Sequence, residues 1–264
     1  MPKKTVLLTR PEQQAESTAM CLESLGFRVL HQPLIRIVAY DDPIHPGRFD
    51  DLVQTLLGES PVYDWLIFSS RNGVRFFAER LARHLAAAGI KSPGINNAIR
   101  IAVVGPGTAE ATREQLHREP TIVSPKGSAE EMLDLLCREP LAKKRFLLLR
   151  GDRGRSLIPE TLTSLGAIVE EWAIYRTIEI SRISPEIVQM LRAGQIDFIT
   201  VTSSAIAESL VRLLGDDLGR SRLVSISPLT SQRLIQLGFS PALEAAEATI
   251  EAVINCIVHH EQGL

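Results

Sequence analysis

Residues 6–30, VLLTRPEQQAESTAMCLESLGFRVL, align without gaps on residues 146–170, FLLLRGDRGRSLIPETLTSLGAIVE, and keep Leu-Leu, Arg, Leu, Ser-Leu-Gly and Val in place. A repeat of this kind is sought first because it fixes the architecture before single elements are assigned. With this stretch as unit A, three more pairs follow in the same order. Unit B pairs Tyr63-Asp64-Trp65-Leu66-Ile67-Phe68-Ser69-Ser70 with Ile196-Asp197-Phe198-Ile199-Thr200-Val201-Thr202-Ser203. Unit C pairs Arg100 to Thr108 with Arg222 to Thr230, so that Pro-x-Thr recurs after each strand, and unit D pairs Pro120 to Leu136 with Pro241 to Ile257. Each unit reads as a short apolar strand, a polar turn and an amphipathic helix. Strands alternating with helices imply parallel sheets covered on both faces, hence an α/β fold of two doubly wound, flavodoxin-like lobes.

The connections suggest how the units are shared out. Unit D leads into the second unit A through only residues 138–144, which places those two units in one lobe. The two A-to-B connections are long, and each opens with an extended stretch, 33–38 and 173–178. They are read as antiparallel strands crossing between lobes, near 33–40 and 172–180. Lobe one is then residues 1–37 with 178–264, lobe two is 38–177, and turns from both are expected to face a shared cleft.

Composition narrows the function. The 264 residues are 45% hydrophobic and 23% charged, enough for two cored lobes. A net charge of −2 argues against a broad phosphate-binding surface, and 5% aromatic content against a stacking platform for bases, so no nucleic acid is expected as partner. The start, Met1-Pro2-Lys3-Lys4, precedes no apolar run of secretory length, and no later run would span a membrane, so no membrane association is expected. Three cysteines, widely spaced within apolar helical patterns, do not read as a disulfide framework and fit a reducing cytoplasm.

In open parallel sheets the ligand crevice lies beyond the carboxyl ends of the strands, where helix N-termini present unpaired N–H groups. The repeated turns fall there: Thr9-Arg10-Pro11, Ser69-Ser70-Arg71-Asn72-Gly73, Gly105-Pro106-Gly107-Thr108, Arg150 to Arg155, Thr202-Ser203-Ser204 and Ser227 to Thr230. Hydroxyls and backbone amides at such turns suit carboxylates or phosphates, although Ser and Thr there also serve as plain helix caps. Arg10 and Arg150 are equivalent in the repeat, and the loop from Arg150 to Arg155 reads as an anion clamp, whereas Arg36 reads as solubilising. Gly105-Pro106-Gly107 has Glu110 where a dinucleotide fingerprint needs a third glycine, and no Gly-x-Ser-x-Gly is present. His259-His260 lacks metal-ligand spacing and reads as a solvated tail, so no metal is expected.

Taken together the motifs resemble the uroporphyrinogen-III synthase family. They are Thr9-Arg10, Ser69-Ser70-Arg71-Asn72-Gly73-Val74, Val104-Gly105-Pro106-Gly107-Thr108-Ala109, Leu149-Arg150-Gly151, Tyr175-Arg176-Thr177, Thr202-Ser203 and Ser225 to Thr230. Ser69 in place of Thr, Ser204 in place of Pro and Pro228-Leu229 in the last turn depart from the family pattern. The resemblance implies two lobes joined by a two-stranded ribbon and a cofactor-free lyase. Its small-molecule substrate would be hydroxymethylbilane, a linear tetrapyrrole rich in carboxylates, closed with inversion of ring D and loss of water. It further implies that Tyr175 donates a proton to the departing hydroxyl. Substrate contacts are expected from Arg10, Ser69, Ser70, Asn72, Gly105, Thr108, Arg150, Gly151, Arg155, Thr202, Ser203, Ser204 and Thr230. A monomer in passing contact with the enzyme of the preceding step belongs to the same expectation. The rival is a non-catalytic two-lobed protein that binds or senses a tetrapyrrole or another anion. Thr108 keeps both its motif and its counterpart Thr230, so Thr108→Ala should lower kcat/KM more than Ser204→Ala; equal losses would contradict that ranking.

Overall fold

The repeat is visible in the way aspartates at the start of unit B tie down strands of unit A. In a computed structural model describing residues 3–40, 48–58, 60–90 and 94–263, Asp197 accepts hydrogen bonds from the Thr5 N–H at 2.8 Å and Lys4 Nζ at 2.9 Å. Asp64 does the same for the Arg145 N–H at 2.9 Å and Lys144 Nζ at 2.7 Å. Each aspartate thus neutralises a lysine and satisfies a backbone donor at the mouth of a parallel strand pair, where the ladder leaves groups unmatched. The Met1-Pro2 start lies outside the described residues.

Two compact units emerge, Met1–Ile37 with Ile178–Leu264 and Val38–Thr177. The first unit holds β1 (Thr5–Leu8), β2 (Arg28–His31), β9 (Phe198–Val201), β10 (Arg222–Ser225) and β11 (Leu243–Glu244) in the order β11-β10-β9-β1-β2, with parallel pairing throughout. Its helices are α1 (Glu16–Ser24), α7 (Pro185–Arg192), α8 (Ser204–Leu214), α9 (Pro228–Gln236) and α10 (Ile250–Gln262). One sheet face packs on Leu191, Ile206 and Leu210, the other on Leu22, Val253 and Ile257, all buried. Apolar cover on both faces explains why β1 and β9 are buried at every position rather than alternating.

The second sheet has the order β3 (Ile35–Ala39), β8 (Ile168–Glu179), β7 (Arg145–Gly151), β4 (Trp65–Phe68), β5 (Arg100–Val103) and β6 (Ile122–Val123), all within the second unit but for residues 35–37 of β3 and 178–179 of β8. Helices α2 (Arg48–Leu57), α3 (Arg71–Ala87), α4 (Pro106–Leu116), α5 (Ala129–Leu136) and α6 (Leu157–Ser164) accompany it. Trp65 stacks on Phe146 at 5.9 Å between ring centroids, and Phe68 meets Phe77 at 5.6 Å. Full burial of such side chains contributes about 1.5–3 kcal/mol each. Both sheets read D-C-B-A in terms of the repeat, with unit A of one half beside units B to D of the other.

The stretches after the two A units differ. In the first half, β2 and β3 are separated at Pro33, which has no N–H to give a ladder. In the second, β8 runs unbroken for 12 residues. Bonds from the Tyr40 N–H to the Ile174 carbonyl and from the Ile180 N–H to the Leu34 carbonyl, each 3.0 Å, give β3 and β8 an antiparallel sense. A correction concerns His259-His260: although exposed, they belong to the last turn of α10 and not to a tail. Thr249 caps its start and Gly263, at φ 71°, its end, and the His260 ring lies edge-on to Phe198 at 5.8 Å.

Candidate active site

At the carboxyl end of β4, Ser70 has extended backbone and caps α3, its Oγ accepting from the Gly73 N–H at 3.1 Å. The same oxygen lies 2.9 Å from the Tyr175 hydroxyl. A bulge directs that tyrosine. The register of β7 and β8 shifts between Arg150 and Gly151, so that Arg150 faces Ala173 while Gly151 faces Tyr175. The Tyr175 ring crosses Gly151 so closely that a Cβ there would stand 2.6 Å from a ring carbon, and Phe76 stacks on the ring at 5.7 Å.

Burial pushes the Tyr175 phenol above the ordinary tyrosine value, and the negative charge of Asp152 adds to that, while hydrogen bonds from Ser70 and the Gly151 N–H pull it back. A phenol in this state keeps its proton throughout neutral pH. Because the folded value exceeds the unfolded one near 10, its contribution to stability is full below about pH 10 and is lost as pH rises through the folded value. An ultraviolet difference titration of the wild type against Tyr175→Phe is expected to show this late ionisation. A tyrosine titrating at or below the free value would contradict it.

Within the same unit, a cavity of about 240 Å³ is lined by the apolar Val104, Leu148 and Ile158 together with Ser69, Arg150 and Arg155. The two arginines already hold protein groups. Arg150 donates to the Arg155 carbonyl at 2.7 Å and pairs with Glu171 at 3.1 Å, and Arg155 pairs with Glu130 at 2.8 Å, holding that carboxyl below its usual range. Gly105 adopts φ 87°, caps α4 and donates its N–H to the buried Ser124 hydroxyl at 3.1 Å. A side chain there would be strained and would meet the Gly127 Cα at 3.2 Å. Thr108, two residues inside α4, is 4% exposed; Asn72 is half-buried in the first turn of α3.

The first unit carries the equivalent turns. Thr9 is buried and donates to the Thr200 carbonyl; Arg10 donates to Gln14 at 3.1 Å and Thr18 at 3.3 Å. Ser203 caps α8 through the Ile206 N–H at 3.2 Å, with Thr202 and Ser204 half-buried on either side of it. Ser227 caps α9 and lies 3.3 Å from the Thr230 hydroxyl.

Sequence reasoning therefore found the turns but not their internal partners. Asp152, Glu171, Ser124 and Gly127 went unnamed as contributors and Glu130 was marked only as a first-turn acid, since nothing local shows what each meets across the fold. Ser128, paired with Thr249 in unit D and readable from the sequence as an N-cap candidate, caps α5 through the Glu131 N–H at 3.2 Å. Among the described residues no cluster of His, Cys, Asp and Glu could hold a metal, and no helix is long and apolar enough to cross a membrane.

A family model described as uroporphyrinogen-III synthase HemD matches residues 16–255. The uroporphyrinogen-III synthase of Escherichia coli K12 is 27% identical over 96% of this chain and 99% of its own length. That of Proteus mirabilis is 26% identical over 74% and 91%. Among solved structures, a mutant uroporphyrinogen III synthase from the extremely thermophilic bacterium Thermus thermophilus superposes with a TM-score of 0.65 at 20% identity, covering 99% of this chain and 100% of the other. The Helicobacter pylori 26695 synthetase gives 0.58 at 17%, covering 98% and 99%. These two share the α/β fold with parallel sheets. With the family model covering most of the sequence from Glu16 to Asn255, the chain belongs to the uroporphyrinogen-III synthase family.

Proposed function

We infer that this chain is a uroporphyrinogen-III synthase, a lyase that closes hydroxymethylbilane to uroporphyrinogen III with inversion of ring D and loss of water. The observation that carries the reading is the family match along residues 16–255. The geometry supports it: a protonated, half-buried tyrosine is held by Ser70, and the same unit carries a small cavity lined in part by Ser69, Arg150 and Arg155.

The substrate loses its hydroxyl readily and cyclises unaided to the type I isomer, so the protein's main task is to hold the chain in the conformation that favours attack at the substituted carbon. Proximity and orientation dominate such a reaction. Peripheral carboxylates take hydrogen bonds from Ser69, Thr108, Thr202, Ser203, Ser204, Thr230 and Asn72, and from the backbone N–H groups around Gly105 and Gly151. Arg10, Arg150 and Arg155 add positive potential. Tyr175 gives the proton that lets the hydroxyl leave as water. On this reading Tyr175→Phe lowers turnover on the order of 100-fold while type III remains the main product at high enzyme concentration. Unchanged turnover would remove Tyr175 from the mechanism.

The finer architecture belongs to the same reading: two doubly wound lobes of flavodoxin type, 1–37 with 178–264 and 38–177, joined by paired crossing strands. What supports it is the common D-C-B-A strand order of the two sheets. The enzyme works as a cytoplasmic monomer without cofactor, meeting the enzyme of the preceding step in passing. The deciding experiment supplies freshly generated hydroxymethylbilane, oxidises the products and separates the isomers. Type III is expected. The symmetric type I macrocycle alone would leave only the binding or sensing reading standing.

A further inference from the structure

Ser70 does more in this geometry than a rim hydroxyl would. Its Oγ is pinned by the Gly73 N–H at 3.1 Å, in the first turn of a 17-residue helix, and sits 2.9 Å from the Tyr175 hydroxyl, where either oxygen can donate. The helix N-terminus adds positive potential at that point. The Gly151 backbone passes close under the phenol, whose oxygen would stand 3.0 Å from a Cβ at that position. The charged groups around the ring are Asp152, beside the phenol on the turn after β7, and Arg75, whose guanidinium lies 4.4 Å from the centre of the Phe76 ring that stacks on Tyr175.

A half-buried phenolate without donors is costly, so a tyrosine in this position acts best as an acid when something receives its negative charge. We propose that Ser70 is a positioning residue whose hydroxyl turns from accepting to donating as Tyr175 loses its proton, seating the phenolate at the positive end of α3. The proposal rests on the reading of Tyr175 as the acid. The step balances internally: the Tyr175 O–H bond breaks and its proton joins the departing hydroxyl as the carbon–oxygen bond breaks, so water leaves. The phenolate recovers a proton from the pyrrole carbon that loses its hydrogen on ring closure. Accepting from Gly73 and Tyr175 at rest leaves the Ser70 O–H free, and the proposal directs it to the phenolate in place of the carboxylate contact expected from sequence.

Three substitutions separate donation from capping. Ser70→Thr keeps both, Ser70→Asp keeps an acceptor for the Gly73 N–H but cannot donate when ionised, and Ser70→Ala keeps neither. Ser70→Thr is expected to retain most of kcat. Ser70→Asp and Ser70→Ala should lower kcat about 10- to 100-fold with KM changed less than about twofold, and Ser70→Ala should move the Tyr175 ionisation to higher pH. In a Tyr175→Phe background, Ser70→Ala should change kcat by less than about twofold, because the two act as a unit. An equal loss in that background, or a rise in KM alone, would mean that Ser70 serves the substrate directly and would overturn the proposal while leaving the tyrosine its role. Wild-type turnover in Tyr175→Phe alone would overturn the acid assignment itself, and with it this inference.

Discussion

Gly151→Ala should reduce turnover on the order of 100-fold and stability by about 1–3 kcal/mol, the range for overpacking a well-filled site. The added Cβ would lie 2.6 Å from one Tyr175 ring carbon, 2.8 Å from the next and 3.0 Å from the hydroxyl oxygen, all inside van der Waals contact. The ring has little room to retreat, with Phe76 stacked on it and Ser70 holding its hydroxyl. The glycine is needed here for space. It is absent from the positive-φ glycines, so alanine meets no backbone penalty and the effect should be carried by the tyrosine alone. A double-mutant cycle with Tyr175→Ala, followed by thermal unfolding, tests this. The alanine at 151 should be nearly harmless to stability once the ring is gone, and an additive result would refute the steric account.

A fragment of residues 38–177 should fold cooperatively by itself, whereas residues 1–144, which contain the first copy of all four repeat units, should not. The difference lies in β7. It sits between β4 and β8, and Phe146, Leu147, Leu148 and Leu149 are each 0% exposed. At about 1.5–3 kcal/mol apiece, their loss from the shorter fragment removes roughly 6–12 kcal/mol, comparable to the whole net stability of a domain. The 1–144 fragment keeps β1 but lacks β9, its parallel neighbour, so a second buried strand is left with an open edge. Urea titrations followed by circular dichroism would decide: a sigmoidal transition for 38–177 and a shallow, non-cooperative one for 1–144 are expected. The reverse pattern would show that contiguous sequence, and not sheet pairing, defines the folding unit.

The sequence by itself determined what depends on near neighbours. Continuous apolar runs at Trp65–Phe68, Phe146–Leu149 and Phe198–Val201 had to be doubly covered parallel strands, and the duplication showed that the polar turns after them were built alike. Ser128 and Thr249 were readable as caps because a cap and its acceptor–donor geometry lie within three residues. The parallel α/β class followed from the alternation of strand and helix alone. Tertiary structure decided the pairings that no local pattern encodes. Ser70 and Tyr175 are 105 residues apart in the chain, and they meet only because a bulge at Arg150 and Gly151 turns the tyrosine across a glycine. Glu171 and Glu130 occupy the arginines that looked free to clamp an anion, and Asp152 bears on the phenol from a neighbouring strand end. The physical reason is range. Backbone hydrogen bonding and apolar periodicity are set within a few residues, while the charge and acidity of a buried group depend on whatever the fold brings against it.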